Sequence, residues 1–151
     1  MDTLELLAKN EEEIGDLYEL YAKIMPQHKD LWLELSKEEM GHAAWIRDFA
    51  KGTEKGKLTL NKRRFPAESF QTYHEYLKGS MGKASLRGIE PMQAFTTALY
   101  IEQALIELKF WGVMDTGSVE FDNVALRLHN ATKKHIEEIG EYWAKVKDGK
   151  I

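Results

Sequence analysis

The chain has 151 residues, of which 43% are hydrophobic and 30% are charged. This length is typical of one domain, and this composition is typical of a folded protein rather than a disordered one. The 21 basic and 25 acidic residues give a formal net charge of -4, and no basic face indicates binding to nucleic acid. We therefore expect a single domain over residues 1–151.

The sequence contains no cysteine, which excludes disulfides, thiolate metal sites and iron–sulfur clusters. Any metal would be held by histidine and carboxylate side chains. The first residues lack the basic start and apolar core of a signal peptide, and no apolar stretch approaches the ~20 residues that span a bilayer. A cytoplasmic protein without a membrane partner is the resulting expectation.

Apolar residues recur at steps of three and four in four long segments, which predicts four amphipathic helices. Pro26 separates the first helix from the second, because proline cannot continue a helix. The expected helices cover about 2–25, 29–50, 91–113 and 119–147.

The segment 51–90 is predicted to be a long crossover between two helical hairpins. It contains a short helix over about 67–77, followed by a link with Gly79, Gly82 and Gly88. The expected fold is therefore all-α, a four-helix bundle in which the long crossover is typical of ferritin-like proteins.

Several charged or titratable residues fall on the apolar faces of these helices. Burying an unpaired charge costs several kcal/mol unless a partner or a metal compensates it. Bundle di-iron proteins use one Glu from each of two helices and a Glu-x-x-His pair from each of the other two. The candidate ligands, called here the Glu/His set, are Glu11, Glu39, His42, Glu102 and His135.

Three segments of the sequence carry a resemblance to a known family. They are EEEIGDLYELYA in the first helix, ELSKEEMGHAAWI in the second and LYIEQALIELKFW in the third. Through them most of the chain resembles the rubrerythrin-like branch of the ferritin-like superfamily. The resemblance implies that the Glu/His set binds one or two iron ions, with manganese as an alternative, and that Tyr18 lies beside the ligand Glu11.

The same resemblance implies an oxidoreductase that reduces peroxide, or that oxidises ferrous iron with oxygen or peroxide. Rubrerythrins carry a small cysteine-held iron domain that supplies electrons, and this chain has no cysteine. An external electron donor is therefore expected. A homodimer is expected by analogy with the family.

The last helix departs from the family pattern, because Thr132 stands where the second Glu-x-x-His pair would have its Glu. Threonine is a poor metal ligand, so the pair of metals becomes asymmetric, singly occupied or absent. Glu138 and His129 are the candidates to replace the missing carboxylate. The alternative function is a degenerate, non-catalytic bundle that acts as a binding or structural module, and iron storage ranks third.

For a few residues the sequence leaves two interpretations open. Glu107 is a rival of Glu102, and His135 is balanced between a metal ligand and a hydrogen-bonded core histidine. His28 and His74 lie in or near predicted connections, so both are expected to be solvated and without a chemical role.

Overall fold

The computed structural model describes residues 3–52, 67–107 and 119–151, and over these ranges the chain is all-α. The helices are α1 (Thr3–Ile24), α2 (Lys29–Gly52), α3 (Ala67–Arg87), α4 (Pro91–Glu107) and α5 (Val119–Lys147). Within the described ranges there is no strand, and no helix has both the length and the apolarity to cross a membrane. The all-α prediction is confirmed.

The bounds of the long helices agree closely with the periodicity of the sequence. Helix α1 ends at Ile24, and Pro26 opens the short 3₁₀ turn Pro26–His28 that leads directly into α2. Helix α5 has the predicted bounds, whereas the predicted end of α4 near residue 113 lies outside the described residues. Periodicity was a sufficient guide because each of these helices buries one continuous apolar face.

The crossover differs from its prediction. The short helix expected over 67–77 is the first half of α3, which continues through Gly79 and Gly82. The expectation of a glycine-rich link there was wrong. A glycine inside a helix costs only about 1 kcal/mol relative to alanine, so packing of the remaining residues can maintain the helix.

Packing on both halves of α3 explains its length. Tyr73, Leu77 and Ala84 are buried along one side of the helix, and α3 packs against α1. The helix stops where Gly88 takes the left-handed conformation, with a φ of 65°. Its amide N–H donates to the carbonyl of Ala84 at 3.1 Å, which caps the last turn.

An aromatic cluster joins the helices on one side of the Glu/His set. The fully buried ring of Trp32 in α2 lies 5.4 Å from Tyr18, 5.0 Å from Tyr21 and 5.0 Å from Phe95, measured between ring centroids. Phe95 of α4 in turn stacks on Trp143 of α5 at 5.0 Å. These contacts hold α1, α2, α4 and α5 together, because large aromatic side chains dominate the energetics of a core.

Two histidines that were expected to be solvated are buried. His28, with 6% of its surface exposed, places Nδ1 2.9 Å from the hydroxyl of Tyr142. His74, with 8% exposed, places Nδ1 2.5 Å from a carboxylate oxygen of Glu13. The prediction was wrong because the 3₁₀ turn folds against α5 and because α3 covers α1.

Helices α1 and α2 approach each other closely at Gly15. A Cβ atom on Gly15 would lie 2.9 Å from Cε of Met40 and 3.2 Å from the carbonyl oxygen of Ser36. The hydroxyl of Ser36 donates to the carbonyl of Gly15 at 2.7 Å. This contact fixes the spacing of the two helices that carry Glu11 and Glu39.

We predict that Gly15→Ala lowers the free energy of unfolding by about 1 kcal/mol, because the added methyl group overpacks the contact with Ser36. The matched control is Gly79→Ala in α3, where an added Cβ meets no described atom within 4 Å. That variant should raise the free energy of unfolding by about 0.5–1 kcal/mol through helix propensity. Urea denaturation measures both, and equal effects would contradict the close approach.

Candidate metal centre

The structure brings the five predicted residues of the Glu/His set together from four helices. Helix α1 supplies Glu11, α2 supplies Glu39 and His42, α4 supplies Glu102 and α5 supplies His135. Four of the five side chains are buried, with at most 3% of their surface exposed: Glu11, Glu39, Glu102 and His135. His42 is the member nearest to solvent, with 16% of its side chain exposed.

The set consists of two overlapping groups that could each hold a metal ion. Ligand atoms of Glu11, Glu39 and His42 lie within 4.8 Å of one another, and so do those of Glu39, Glu102 and His135. Glu39 belongs to both groups. The arrangement therefore has the donor atoms for one ion or for a pair of ions that share a carboxylate.

Glu39 lies between the two histidines. Its Oε2 is 3.2 Å from Nδ1 of His42, and its Oε1 is 2.8 Å from Nδ1 of His135. The same nitrogen of His135 is 3.5 Å from Oε1 of Glu102. The two imidazole rings stack with their centroids 5.6 Å apart. One carboxylate thus joins the ligands of α2 to those of α5.

Tyr18 supports the set from α1. Its hydroxyl donates to Oε1 of Glu102 at 2.7 Å, within the buried interior. The prediction placed Tyr18 beside Glu11, and the structure gives its hydrogen bond to the glutamate of α4 instead. Tyr73 of α3 donates to the carbonyl oxygen of Ile101, the residue before Glu102, at 3.0 Å. Both tyrosines therefore help to fix the position of Glu102.

One contact of the set was not predicted from the sequence, the approach of Glu38 to His135. Oε2 of Glu38 lies 2.5 Å from Nε2 of His135, on the side of the ring away from Glu39. The side chain of Glu38 is 32% exposed, so it does not lie on the apolar face of α2 that guided the prediction. No periodic signal could have found it, because the contact depends on how α2 packs against α5. Such a carboxylate orients a histidine ligand.

Helix α5 supplies no carboxylate to the set. Thr132, with 3% of its surface exposed, lies one turn before His135 on the same face, and its hydroxyl donates to the carbonyl of Leu128 at 2.9 Å. Glu138 does not replace it, since its carboxylate forms a surface ion pair with Lys134 at 3.5 Å.

The remaining alternatives add no ligand to the two groups. Among the described residues, Nδ1 of His129 is buried and has no hydrogen-bond partner. Burial and the nearby charge of Lys133 lower the pKa of His129. The side chain of Glu107, the rival of Glu102, lies outside the described residues.

Several atoms of the set are buried without a well-directed hydrogen bond from any described residue. They are Oε2 of Glu11, Oε1 of Glu39, Oε2 of Glu102 and Nδ1 of His135. The oxygen of Glu39 is close to His135, but it lies off the direction in which the ring nitrogen carries its proton. Each unsatisfied buried group costs about 1–3 kcal/mol. Cations bound at the two ligand groups would satisfy these atoms, so the residues fit a metal.

The acids of the set are held in different protonation states. Burial raises the pKa of Glu11 well above its usual value, and the charge of Glu39 adds to this shift. Burial and the charge of Glu39 likewise raise the pKa of Glu102 to about 8. Burial also raises the pKa of Glu39, but its close contacts with Glu11, His135 and His42 outweigh burial and hold that pKa well below its usual value.

The base of the set is His135. Burial lowers its pKa, but the nearby carboxylates of Glu102 and Glu39 outweigh burial and raise the pKa to about 12. The metal-free chain near neutral pH therefore holds an ion pair of Glu39 and His135 beside a protonated Glu102, and the raised pKa of Glu11 favours its protonated form. A metal ion must displace these protons, because it binds ionised carboxylates and neutral imidazole.

The donor set also limits which ions fit. Carboxylate oxygens with imidazole nitrogens suit iron, manganese and other first-row divalent ions, and the chain has no thiolate to select a softer ion. Glu39 is placed to contact two ions at once, since it belongs to both groups. The site can therefore bind one or two hard or borderline dications in an interior that excludes water.

Comparison of the chain with models of protein families, with curated protein sequences and with solved structures finds no match in any of the three. The description of the all-α fold and of the buried Glu/His set therefore rests on the sequence and structure of this chain. The resemblance to the rubrerythrin-like branch of the ferritin-like superfamily stays a prediction.

Proposed function

We propose that this protein is a rubrerythrin-like, non-haem iron protein whose Glu/His set binds two iron ions and reduces peroxide or oxidises ferrous iron. The observation that carries the proposal is the pair of overlapping ligand groups that share Glu39. Their buried, unsatisfied oxygen and nitrogen atoms support it, because a cation would complete their coordination.

The arrangement of the helices supports the ferritin-like part of the proposal. Helix α1 packs on α2, α4 packs on α5, and α3 lies in the connection between these two pairs. Each pair contributes ligands, so the Glu/His set lies where the two hairpins meet. This is the position of the metal pair in bundle di-iron proteins.

Each residue of the set has a role in the proposed centre. Glu11 and His42 would hold one ion, Glu102 and His135 would hold the other, and Glu39 would contact both. Bound ferrous ions would supply the electrons that reduce peroxide or oxygen.

The surrounding residues position these ligands and exclude water. Tyr18 fixes one oxygen of Glu102, and Glu38 fixes the ring of His135. His42 is the ligand nearest to solvent, with 16% of its side chain exposed. Ions and small oxidants would therefore enter the set on the side of His42. With no cysteine in the chain, the electrons for a second turnover come from an external donor.

A second function remains open because of Thr132. Its hydroxyl is bonded to the helix backbone, so α5 contributes only His135 to the set. Under this alternative the chain is a degenerate bundle, and the ion pair of Glu39 with His135 is merely structural. The two functions differ in whether the chain binds iron.

We expect two iron ions per chain after anaerobic loading with Fe²⁺ in a formate-containing buffer and removal of excess metal, measured by elemental analysis. Glu39→Gln should lose both ions because Glu39 belongs to both ligand groups, whereas His42→Gln should weaken mainly one. The control is Glu19→Gln, which removes a surface carboxylate paired with Lys23 and should keep both ions.

Two results would decide against iron binding at this site. One is a wild-type chain that holds no iron after repeated loading, which would favour the structural alternative. The other is a Glu39→Gln variant that still binds two ions.

Metal affinity should rise steeply with pH between 6 and 8. Glu102, whose pKa is raised to about 8, binds a proton at pH 6 that the metal must displace, and this competition ends as the pH passes 8. Each displaced proton makes the affinity rise about tenfold per pH unit over that range. Titration with Mn²⁺ at pH 6, 7 and 8 checks the slope, and Glu102→Gln should make it shallower without abolishing it, because the proton of His135 must still be displaced. An affinity independent of pH would contradict the protonated state of the metal-free set.

A further inference from the structure

The charges of the Glu/His set do not balance two divalent ions. The ligand groups contain three carboxylates, from Glu11, Glu39 and Glu102, and two imidazoles that are neutral when they bind metal. Three negative charges face the four positive charges of two dications, so one positive charge remains in a buried site. A buried charge without a partner is costly, and the two-metal state needs another anion.

The protein does not supply that anion from the described residues around the site. Glu38 is the nearby carboxylate outside the two groups, and it contacts Nε2 of His135, whereas Nδ1 faces Glu39 and Glu102. A third of the Glu38 side chain is exposed, so water screens its charge. Glu38 therefore orients the ring rather than neutralising the interior.

A comparison of α5 with α2 indicates where a fourth carboxylate would lie. Glu39 and His42 are three residues apart on α2, and Thr132 and His135 are three residues apart on α5. Residues three apart share one face of a helix, so Thr132 corresponds to Glu39 in position. Thr132 is buried and its hydroxyl proton is used by the carbonyl of Leu128. Its side chain is uncharged and shorter than that of glutamate.

We propose that the two-metal state of this protein incorporates one small external monoanion of the carboxylate class beside Thr132. The anion supplies the negative charge that α5 does not contribute to the set. It must be small because Thr132 lies in the interior. This inference rests on the proposed function, since it concerns the same metal site.

The first ion has no such need. One dication is already matched by the carboxylates of the set, so its binding does not depend on an added anion. The second ion brings the uncompensated charge, and its binding is coupled to that of the anion. By linkage, the anion that strengthens the binding of the second ion is itself bound more tightly when that ion is present.

The test is a titration of the metal-free protein with Co²⁺ at constant pH and ionic strength, in sodium perchlorate and in mixtures with sodium formate. Perchlorate is a very weak ligand, and formate is the smallest carboxylate. The visible absorption of Co²⁺ reports its coordination. We expect equal affinity for the first ion in all mixtures. Affinity for the second ion should rise about tenfold for a tenfold rise in formate while the anion site is unsaturated.

Two variants of Thr132 separate charge from size. Thr132→Glu places a carboxylate on α5, so the second ion should bind in perchlorate alone and formate should have no further effect. Thr132→Gln has the same shape without the charge, and it should still require an added anion if it binds a second ion. Circular dichroism verifies that each variant keeps its helices.

Formate-independent binding of two ions by the wild-type chain would overturn the inference and leave the proposed function standing. That result would mean that Glu38 moves into the site or that water supplies the charge as hydroxide. Equal behaviour of Thr132→Glu and Thr132→Gln would also overturn it. A chain that binds no ion under any condition would overturn both the inference and the proposed function.

Discussion

The site depends on Glu39, an ionised carboxylate held in the interior between two histidines. Its oxygens lie 3.2 Å from Nδ1 of His42 and 2.8 Å from Nδ1 of His135. A buried charge is tolerated only where partners from the surrounding elements reach it. Here those partners come from α1, α2, α4 and α5, so the four helices must pack in one register to satisfy a single side chain.

Packing of the core supplies that register. Trp32 of α2 contacts Tyr18 of α1 and Phe95 of α4, and Phe95 stacks on Trp143 of α5. The same Tyr18 donates its hydroxyl to Glu102, so the aromatic core and the Glu/His set share a residue. Burial of the aromatic rings stabilises the bundle, and the hydrogen bond from Tyr18 positions the ligand Glu102.

The two ligand groups are unequal, and this inequality bears on function. The group with His42 reaches the edge of the protein, whereas the group with His135 is fully buried. Only the buried group includes a residue of α5, the helix that contributes no carboxylate to the set. The set therefore has enough charge for one dication and too little for two. If the set binds metal as we propose, its occupancy depends on protons and on an added anion.

The sequence by itself determined the all-α class, the bounds of α5 and the five members of the Glu/His set. Helical periodicity is local, and a carboxylate on an apolar face is visible without coordinates. Only the tertiary structure decided that α3 continues through Gly79 and Gly82, that His74 is buried, and that Glu38 contacts His135. These features depend on packing between helices that are distant in sequence, and packing overrides local propensity because burial of apolar surface outweighs about 1 kcal/mol per glycine.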